Sequence, residues 1–366
     1  MKYQVVSDNN FEQLTFEPTI IIGFYRSSLS KKFLEMYHNL VSRYKGVTVI
    51  GCSSGKNIAD TIPYVETEEQ FPIVYLCCNM HTDAFTMHLI SDKENIDKKK
   101  LQEQMILFSS FTFSYLEKLL LDISTLYMSP KVYGGVASCE EGCNKNPTIF
   151  YDGIFYENHV LLWCIDKRTY CLEGISIHFF QPASTPLEIT KSENKTIIEL
   201  NGLPALDVIE EMTGQIDRKI VGRFGYPLFL QKNMDIKWSN TPLASMVSID
   251  RKKKTVTLYR DIREKEYVKI GIMISEEEQL KNLCKLCEIA PEKSVAIVFN
   301  CVGITENLKM MEFLYLRDIK EHIDITYAGF HTFGEIGRGS SSIFSKEIML
   351  HNQTMTIAMI SKKDEI

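Results

Sequence analysis

Ala328-Gly329-Phe330-His331-Thr332-Phe333-Gly334-Glu335-Ile336 follows a short β-like run, Ile325-Thr326-Tyr327, and leads into a loop of Gly337, Gly339 and three serines. Small residues, a hydroxyl, an imidazole and a carboxylate crowd together where a strand runs out. Backbone approaches a small ligand closely at glycine, which has no Cβ. Polar groups at a strand end then fix that ligand's orientation. The plain alternative is a glycine-rich turn with a hydrogen-bonded histidine.

Two other stretches echo this one. Val49-Ile50-Gly51-Cys52-Ser53-Ser54-Gly55-Lys56-Asn57-Ile58 repeats the order apolar strand, Gly, two residues, Ser or Thr, then Ile four further on, and Val132-Tyr133-Gly134-Gly135-Val136-Ala137-Ser138 is a shorter version. A strand over 19–25 and a helix over 28–44 precede the Gly51 stretch, as a strand over 294–301 and a helix over 306–322 precede the Gly329 stretch. A further β run follows each, at 72–80 and 355–360. The pattern predicts an internal duplication, with two similar sites about a pseudo-twofold axis.

At these residues the chain resembles the FIST-domain proteins, a bacterial sensory family. Phe299-Asn300-Cys301-Val302-Gly303, Gly329 to Ile336 and His351-Asn352-Gln353-Thr354 carry the C-terminal match. Ile189-Thr190-Lys191 and Ile197 to Leu206 add a central one, and Gly51-Cys52-Ser53-Ser54 with Gly134-Gly135 an N-terminal one. Departures fall at Lys56-Asn57, where the family has Gly-Glu, at Ile304, where it has Arg, and at His331, where it has Tyr or similar. The resemblance implies a FIST N-terminal domain over residues 1–165 and a FIST C-terminal domain over 166–366. It also implies a non-enzymatic sensor that binds a small ligand such as an amino acid and reports in trans to a separate signalling protein, for instance a histidine kinase or cyclase. Some members resemble haem-based nitric-oxide sensors, which makes haem the alternative ligand, with His38, His178 or His331 as axial candidates.

Length and composition agree with a globular protein. The 366 residues suit two domains or one large duplicated unit. A net charge of −6 without a long basic face argues against nucleic acid. The N-terminus lacks the apolar core of a signal peptide, and ten cysteines without such a signal fit free thiols in the cytoplasm. The apolar stretch 104–116 is too short to span a membrane, which takes about 20 residues. It is expected to lie in a long helix over 99–127, ended by Pro130.

Elsewhere many β runs are adjacent in sequence: 148–151, 159–165, 174–180, 187–191, 196–200, 245–250, 255–259 and 267–273. Ser192-Glu193-Asn194-Lys195 is a hairpin turn, Arg251-Lys252-Lys253-Lys254 an exposed hairpin tip, and Pro204 a first-turn proline opening a helix that closes near Gly214. Ser275 and Glu278 form a capping box. Parallel winding would need a crossover between every strand pair. The expected class is therefore α+β, with mixed or antiparallel sheets, helices packed outside and two pseudo-repeated halves.

Candidate ligand contacts are Gly51, Cys52, Ser53, Ser54, Gly134, Gly135, Ser138, Cys301, Gly329, His331, Thr332, Gly334, Glu335 and Asn352. Glu335 would meet an ammonium or hydroxyl, and backbone N–H groups near Gly329 and Gly334 a carboxylate. Cys52 or Cys301 would serve a hydrolase or thiol enzyme if a cation or helix N-terminus activated it. Cys284 and Cys287 form a C-x-x-C pair on a predicted helix and Cys139 and Cys143 a second close pair, short of the four spaced ligands of structural zinc. No nucleophile elbow, phosphate loop, zincin, kinase or dinucleotide fingerprint is present, so no cofactor or metal is assigned.

Overall fold

A computed structural model describes residues 1–7, 10–60, 72–92, 97–111, 115–140, 142–216, 226–232, 238, 241–275, 277–279, 281, 288–291, 293–304, 325–338 and 348–363. The helix expected over 306–322, the Cys284–Cys287 pair and the serines at 340–342 lie outside them.

The chain builds the same unit three times. The first comprises β1 (Lys2–Ser7), β2 (Ile20–Arg26), α1 (Ser30–Arg43), β3 (Thr48–Ser54), β4 (Asn57–Ala59) and β5 (Ile73–Asn79). The second comprises β6 (Phe85–Ser91), β7 (Gln104–Ser109), α2 (Leu116–Leu126), β8 (Lys131–Val136), β9 (Ile149–Tyr151), β10 (Ile154–Tyr156) and β11 (His159–Ile165). The third opens with β12 (Tyr170–His178). It is interrupted by an inserted antiparallel sheet of β13 (Phe180–Pro182), β14 (Leu187–Glu193), β15 (Thr196–Leu200), β16 (Leu203–Pro204), β17 (Leu228–Gln231), β18 (Leu243–Ala244), β19 (Met246–Asp250), β20 (Thr255–Leu258) and β21 (Tyr267–Met273), with α3 (Ala205–Thr213) following β16. The third unit resumes with β22 (Val295–Cys301), β23 (Thr326–Thr332), β24 (Glu335–Arg338), β25 (Ile348–His351) and β26 (Thr354–Lys362).

Each unit pairs its second and fifth regions alike. The strand pairs β2–β3, β7–β8 and β22–β23 are parallel, and β5, β11 and β26 return antiparallel beside the first member of each pair. β1, β6 and β12 then take the outer place. The remaining strand of each unit leaves for a neighbour: β4 joins β23, β24 joins β8, and β9 joins β3. The exchange is cyclic. The two expected repeats are both present, and the short stretch at Val132–Ser138 belongs to a third, so three strand ends are related rather than two about a twofold axis.

The repeated sequence pattern has a packing cause. A Cβ on Gly51 would lie 2.7 Å from the Gly23 carbonyl oxygen, on Gly134 2.0 Å from that of Leu107, and on Gly329 1.9 Å from that of Val298. Those are the parallel partners in register. Across from the same glycines come the exchanged residues: Phe150 opposite Gly51, Ile336 opposite Gly134 and Ile58 opposite Gly329. The glycine admits a tight strand pair, and the later isoleucine is the residue handed to the next unit.

One core joins the three sheets. Phe24, Phe108 and Phe299 hold equivalent places and are fully buried with Cys52, Tyr133, Trp163 and Phe330. Phe330 stacks on Phe24 at 5.1 Å and meets Phe299 edge-on at 5.7 Å, while Phe108 lies 5.9 Å from Phe299. Outside, α1 packs Phe33 and Leu40 on Tyr25 and Tyr75, and α2 packs Leu119, Leu120 and Ile123 on the β7 face. The inserted sheet has its own core of Ile189, Ile197, Leu206, Ile209, Val256 and Val268.

The expected long helix over 99–127 is not formed. Residues 104–109 are β7, buried at every position, and only 116–126 are helical. A strand covered on both faces is a continuous apolar run without alternation, so periodicity cannot separate it from a buried helix. The Ser192–Lys195 turn, with Asn194 at φ 53°, and the 251–254 tip, with Lys254 at φ 57°, form as expected. So does the Ser275 cap, whose hydroxyl accepts the Glu278 N–H at 3.4 Å. Among the described residues no helix is long and apolar enough to cross a membrane.

Gly134→Ala tests the tight pair. Its Cβ meets backbone rather than a movable side chain, so the urea midpoint is expected to fall by an amount equal to about 1–3 kcal/mol with the slope unchanged.

Candidate functional site

The exchange gathers the ends of all three parallel pairs. Ser138 stands at the meeting point: its hydroxyl accepts the Gly55 N–H at 3.1 Å and donates to the His331 carbonyl. Its N–H donates to the Ser53 carbonyl at 3.1 Å, and its carbonyl accepts the Ser53 hydroxyl at 3.0 Å. Ser53 also accepts the Thr148 N–H at 2.9 Å, and the His331 N–H reaches the Lys56 carbonyl at 2.9 Å. Ser54 donates to the same Lys56 carbonyl. Ser53, Ser54, Ser138 and His331 are all buried. Their polar atoms hold the chain to itself, and each bond crosses or closes an exchanged segment.

A second cluster lies beside it, where the third unit meets the inserted sheet. In register, Cys301 pairs with Thr332 and Glu335 with both Gly135 and His351. Thr332, Glu335 and His351 are buried, and Cys301 nearly so. Gly135 is glycine because a Cβ there would strike Thr332 and Phe299, at 2.6 and 2.8 Å. The turn after His351 ties the bodies together. The Asn352 N–H donates to the Leu243 carbonyl at 3.2 Å, its Oδ1 accepts the Ser245 N–H at 3.4 Å, and the Gln353 side chain donates to the Ser245 hydroxyl at 3.2 Å. Asn352 Nδ2 reaches back to the Phe333 carbonyl at 3.5 Å, steadying the Gly334 turn.

Within this cluster the polar balance is incomplete. Thr332 donates to Glu335 Oε1, while Oε2 has no hydrogen-bond partner. The Cys301 thiol and the Thr354 N–H lie close enough to favour the carboxylate without completing a bond to Oε2. Burial outweighs them and raises the Glu335 pKa well above its usual 4.5. Neither ring nitrogen of His351 makes a hydrogen bond of ordinary geometry among the described residues, although the Gly337 backbone is close enough to favour the protonated ring. Burial, with His178 and Arg260 close by, lowers the His351 pKa to about 3, so the ring is neutral. Arg260 extends from the end of β20 with Nε and Nη1 buried and unpartnered, and only Nη2 faces a carboxylate oxygen, that of Glu117, at 3.8 Å. Buried polar atoms without partners are rare and call for an explanation.

The cysteines are not activated. Cys52 lies in the central core and burial pushes its thiol up strongly. Cys301 is pushed up by burial and by Glu335, while its Sγ accepts the Gln353 N–H at 3.1 Å. A thiolate needs a neighbouring cation or helix N-terminus, and neither thiol has a shift in that direction. The described cysteines are free thiols, and no cluster of three or more metal-binding side chains occurs among the described residues. Of the axial candidates, His38 is exposed on α1, His178 is buried with Nδ1 accepting the Phe180 N–H at 3.4 Å, and His331 is buried at the three-strand junction. They lie on different elements, α1, β12 and β23. A groove of about 370 Å³ opens elsewhere, between Asp83–Thr86, Leu101–Gln104 and Ile165–Arg168.

Arg260 and His351 escaped the sequence reading. His351 lies in a matched stretch, where the sequence allows a metal-ligand set with His331 and Glu335 but favours a loop tether, so it is not among the candidate ligand contacts. Arg260 lies in an inserted sheet, with no local pattern to mark it.

Comparison with known proteins accords with this architecture. The family model of the FIST N domain matches residues 19–203 and that of the FIST C domain residues 205–338. The chain belongs to the FIST family, whose domains are sensory, ligand-binding modules of signal transduction. A search of curated proteins finds no match.

Two predictions follow from the geometry. Ser138→Ala leaves the Gly55 N–H and the His331 carbonyl without their buried partner, and denaturant unfolding is expected to show a loss of about 1–3 kcal/mol for each group left bare. Glu335 holds a proton in the folded chain that the unfolded chain releases, so its contribution to stability is full below pH 4.5 and is lost as pH rises. His351 acts oppositely, but only between about 3 and 6.5. The wild type is therefore expected to lose stability through Glu335 as pH rises from 4.5 toward its raised folded value. Glu335→Gln, which keeps the opposing His351 contribution, is expected to lack that loss in melting experiments over the same range.

Proposed function

We propose that this chain is a cytoplasmic sensor of a small polar metabolite such as an amino acid. The metabolite would occupy the junction of the third unit with the inserted sheet and touch Glu335, Thr332, Cys301, His351 and Asn352. One observation carries the proposal: a fully buried carboxyl group with one oxygen unpartnered, opposite a buried imidazole with both nitrogens unpartnered. Such groups cost about 1–3 kcal/mol each when left bare. A ligand that supplies an ammonium or hydroxyl removes that cost.

The remaining candidate residues then serve as the scaffold. Gly51, Gly134 and Gly329 set the strand pairs, Ser53, Ser54, Ser138 and His331 knit the three units, and Gly334 allows the turn that aims Glu335. Output passes in trans to a separate signalling protein such as a histidine kinase or cyclase. The free thiols agree with a reducing compartment.

A thermal-shift screen of the colour-checked protein against amino acids and small metabolites tests this. A hit at a hundredfold excess over its Kd stabilises the fold by about 2.7 kcal/mol. Glu335→Gln is expected to weaken the same hit at least tenfold. A hit whose affinity is unchanged in that variant would move the site away from Glu335. A strong Soret band in the purified protein would replace the metabolite with haem.

A further inference from the structure

The inserted sheet adds to the junction something Glu335 cannot supply. Arg260 follows Tyr259, whose N–H donates to the Ser245 carbonyl at 3.1 Å, and the Ser245 N–H in turn reaches Oδ1 of Asn352, the residue after His351. Nε and Nη1 of Arg260, buried and without acceptors among the described residues, thereby come to the neighbourhood of the neutral His351 ring. Ser245, Asn352 and Gln353 seal the surroundings with hydrogen bonds to one another. The nearest carboxylates do not fill the gap. Glu117 reaches only Nη2, at 3.8 Å and with that side chain 42% exposed, and the Glu335 carboxyl is turned to Thr332 and Cys301.

We propose that Arg260 and His351, the register partner of Glu335, form a subsite for an oxyanion, a carboxylate or phosphate group of the ligand. This rests on the ligand-binding proposal above and names the second end of the same ligand. The guanidinium supplies the charge and at least two N–H donors, and the neutral imidazole a third donor. Two guanidinium nitrogens buried without acceptors are costly even on a side chain that is 22% exposed, and an oxyanion is the group that matches them. The backbone of Gly329, to which the sequence alone would give this task, is committed to pairing with β22 and β4.

The test uses acetate and inorganic phosphate as probes, each compared with chloride at equal ionic strength. One of the two is expected to raise the melting temperature of the full chain saturably by about 2 °C or more. The effect should survive in Glu335→Gln, disappear in Arg260→Gln and His351→Phe, and persist in part in Arg260→Lys. Whether acetate or phosphate acts decides between the two sources of the oxyanion. In parallel, the His351 ring nitrogens of the ¹⁵N-labelled wild type should shift on titration with the active probe, a readout that does not depend on any variant folding. Neither anion exceeding chloride, or an undiminished effect in Arg260→Gln, overturns the subsite. A metabolite hit that weakens in Glu335→Gln but not in Arg260→Gln removes the oxyanion subsite and leaves the sensor standing.

Discussion

In three strands a glycine lies so close to a neighbouring strand's backbone that a Cβ would have no room. At Gly51, Gly134 and Gly329 the parallel partner's carbonyl occupies the space a side chain would need. That proximity lets a short strand from another unit lie against the same position from the other side. Remove the glycine and both neighbours must retreat. The three sheets then lose the registry that brings Phe24, Phe108 and Phe299 to a common core and Ser138 to a common centre.

Cyclic exchange has a second consequence, which concerns the buried polar cluster. Glu335 begins the strand that the third unit hands to the second. Its side chain is fixed at one end by Thr332 of its own unit, its backbone at the other by Gly135 of the next. Two further residues are held where the inserted sheet closes over this strand end, His351 by β24 and Arg260 by its own hairpin. Desolvation is the largest cause of the shifts of three groups there: it raises Glu335 and Cys301 and lowers His351. A stable fold would ordinarily place apolar residues in such a spot. Under the proposed function, a bound molecule rather than stability accounts for a carboxyl, an imidazole and a guanidinium held together there.

Much of this was legible in the chain. The spacing from Gly51 to Ile58 and from Gly329 to Ile336 announced the repeat, because glycine and isoleucine each have a fixed partner in the exchange. The periodicity of Phe33, Tyr37, Leu40 and Tyr44 gave α1, and Ser192–Lys195 and Arg251–Lys254 gave their turns. Three things were hidden. Residues 104–109 have no alternation because both faces are covered, so the second strand of apolar residues looked like part of α2. The third repeat was obscured because its donated strand, β9, starts thirteen residues after Val136 instead of three after the strand end, as β24 does. Arg260 was beyond reach, since its neighbour His351 is 91 positions away and only the closure of the inserted sheet brings them together.

The same geometry says how occupancy could be reported. A ligand shifts a conformational equilibrium only through a difference in affinity between two states. The Glu335 cluster and the Ser138 centre share one short connection: Thr332 binds the carboxyl, and the residue before it, His331, presents its carbonyl to Ser138. Pairing Glu335 with a ligand changes what holds Thr332, and the carbonyl one residue away is the bond by which the third unit grips the other two. Ser138 in turn passes to Glu140, whose carboxylate accepts the N–H groups of Ser27 at 3.0 Å and Ser28 at 3.2 Å at the entrance to α1. A chain of direct hydrogen bonds and steps of one or two residues thus joins the buried carboxyl to an external helix of the first unit. An outer helix is a surface that a partner protein can touch; a buried glutamate is not.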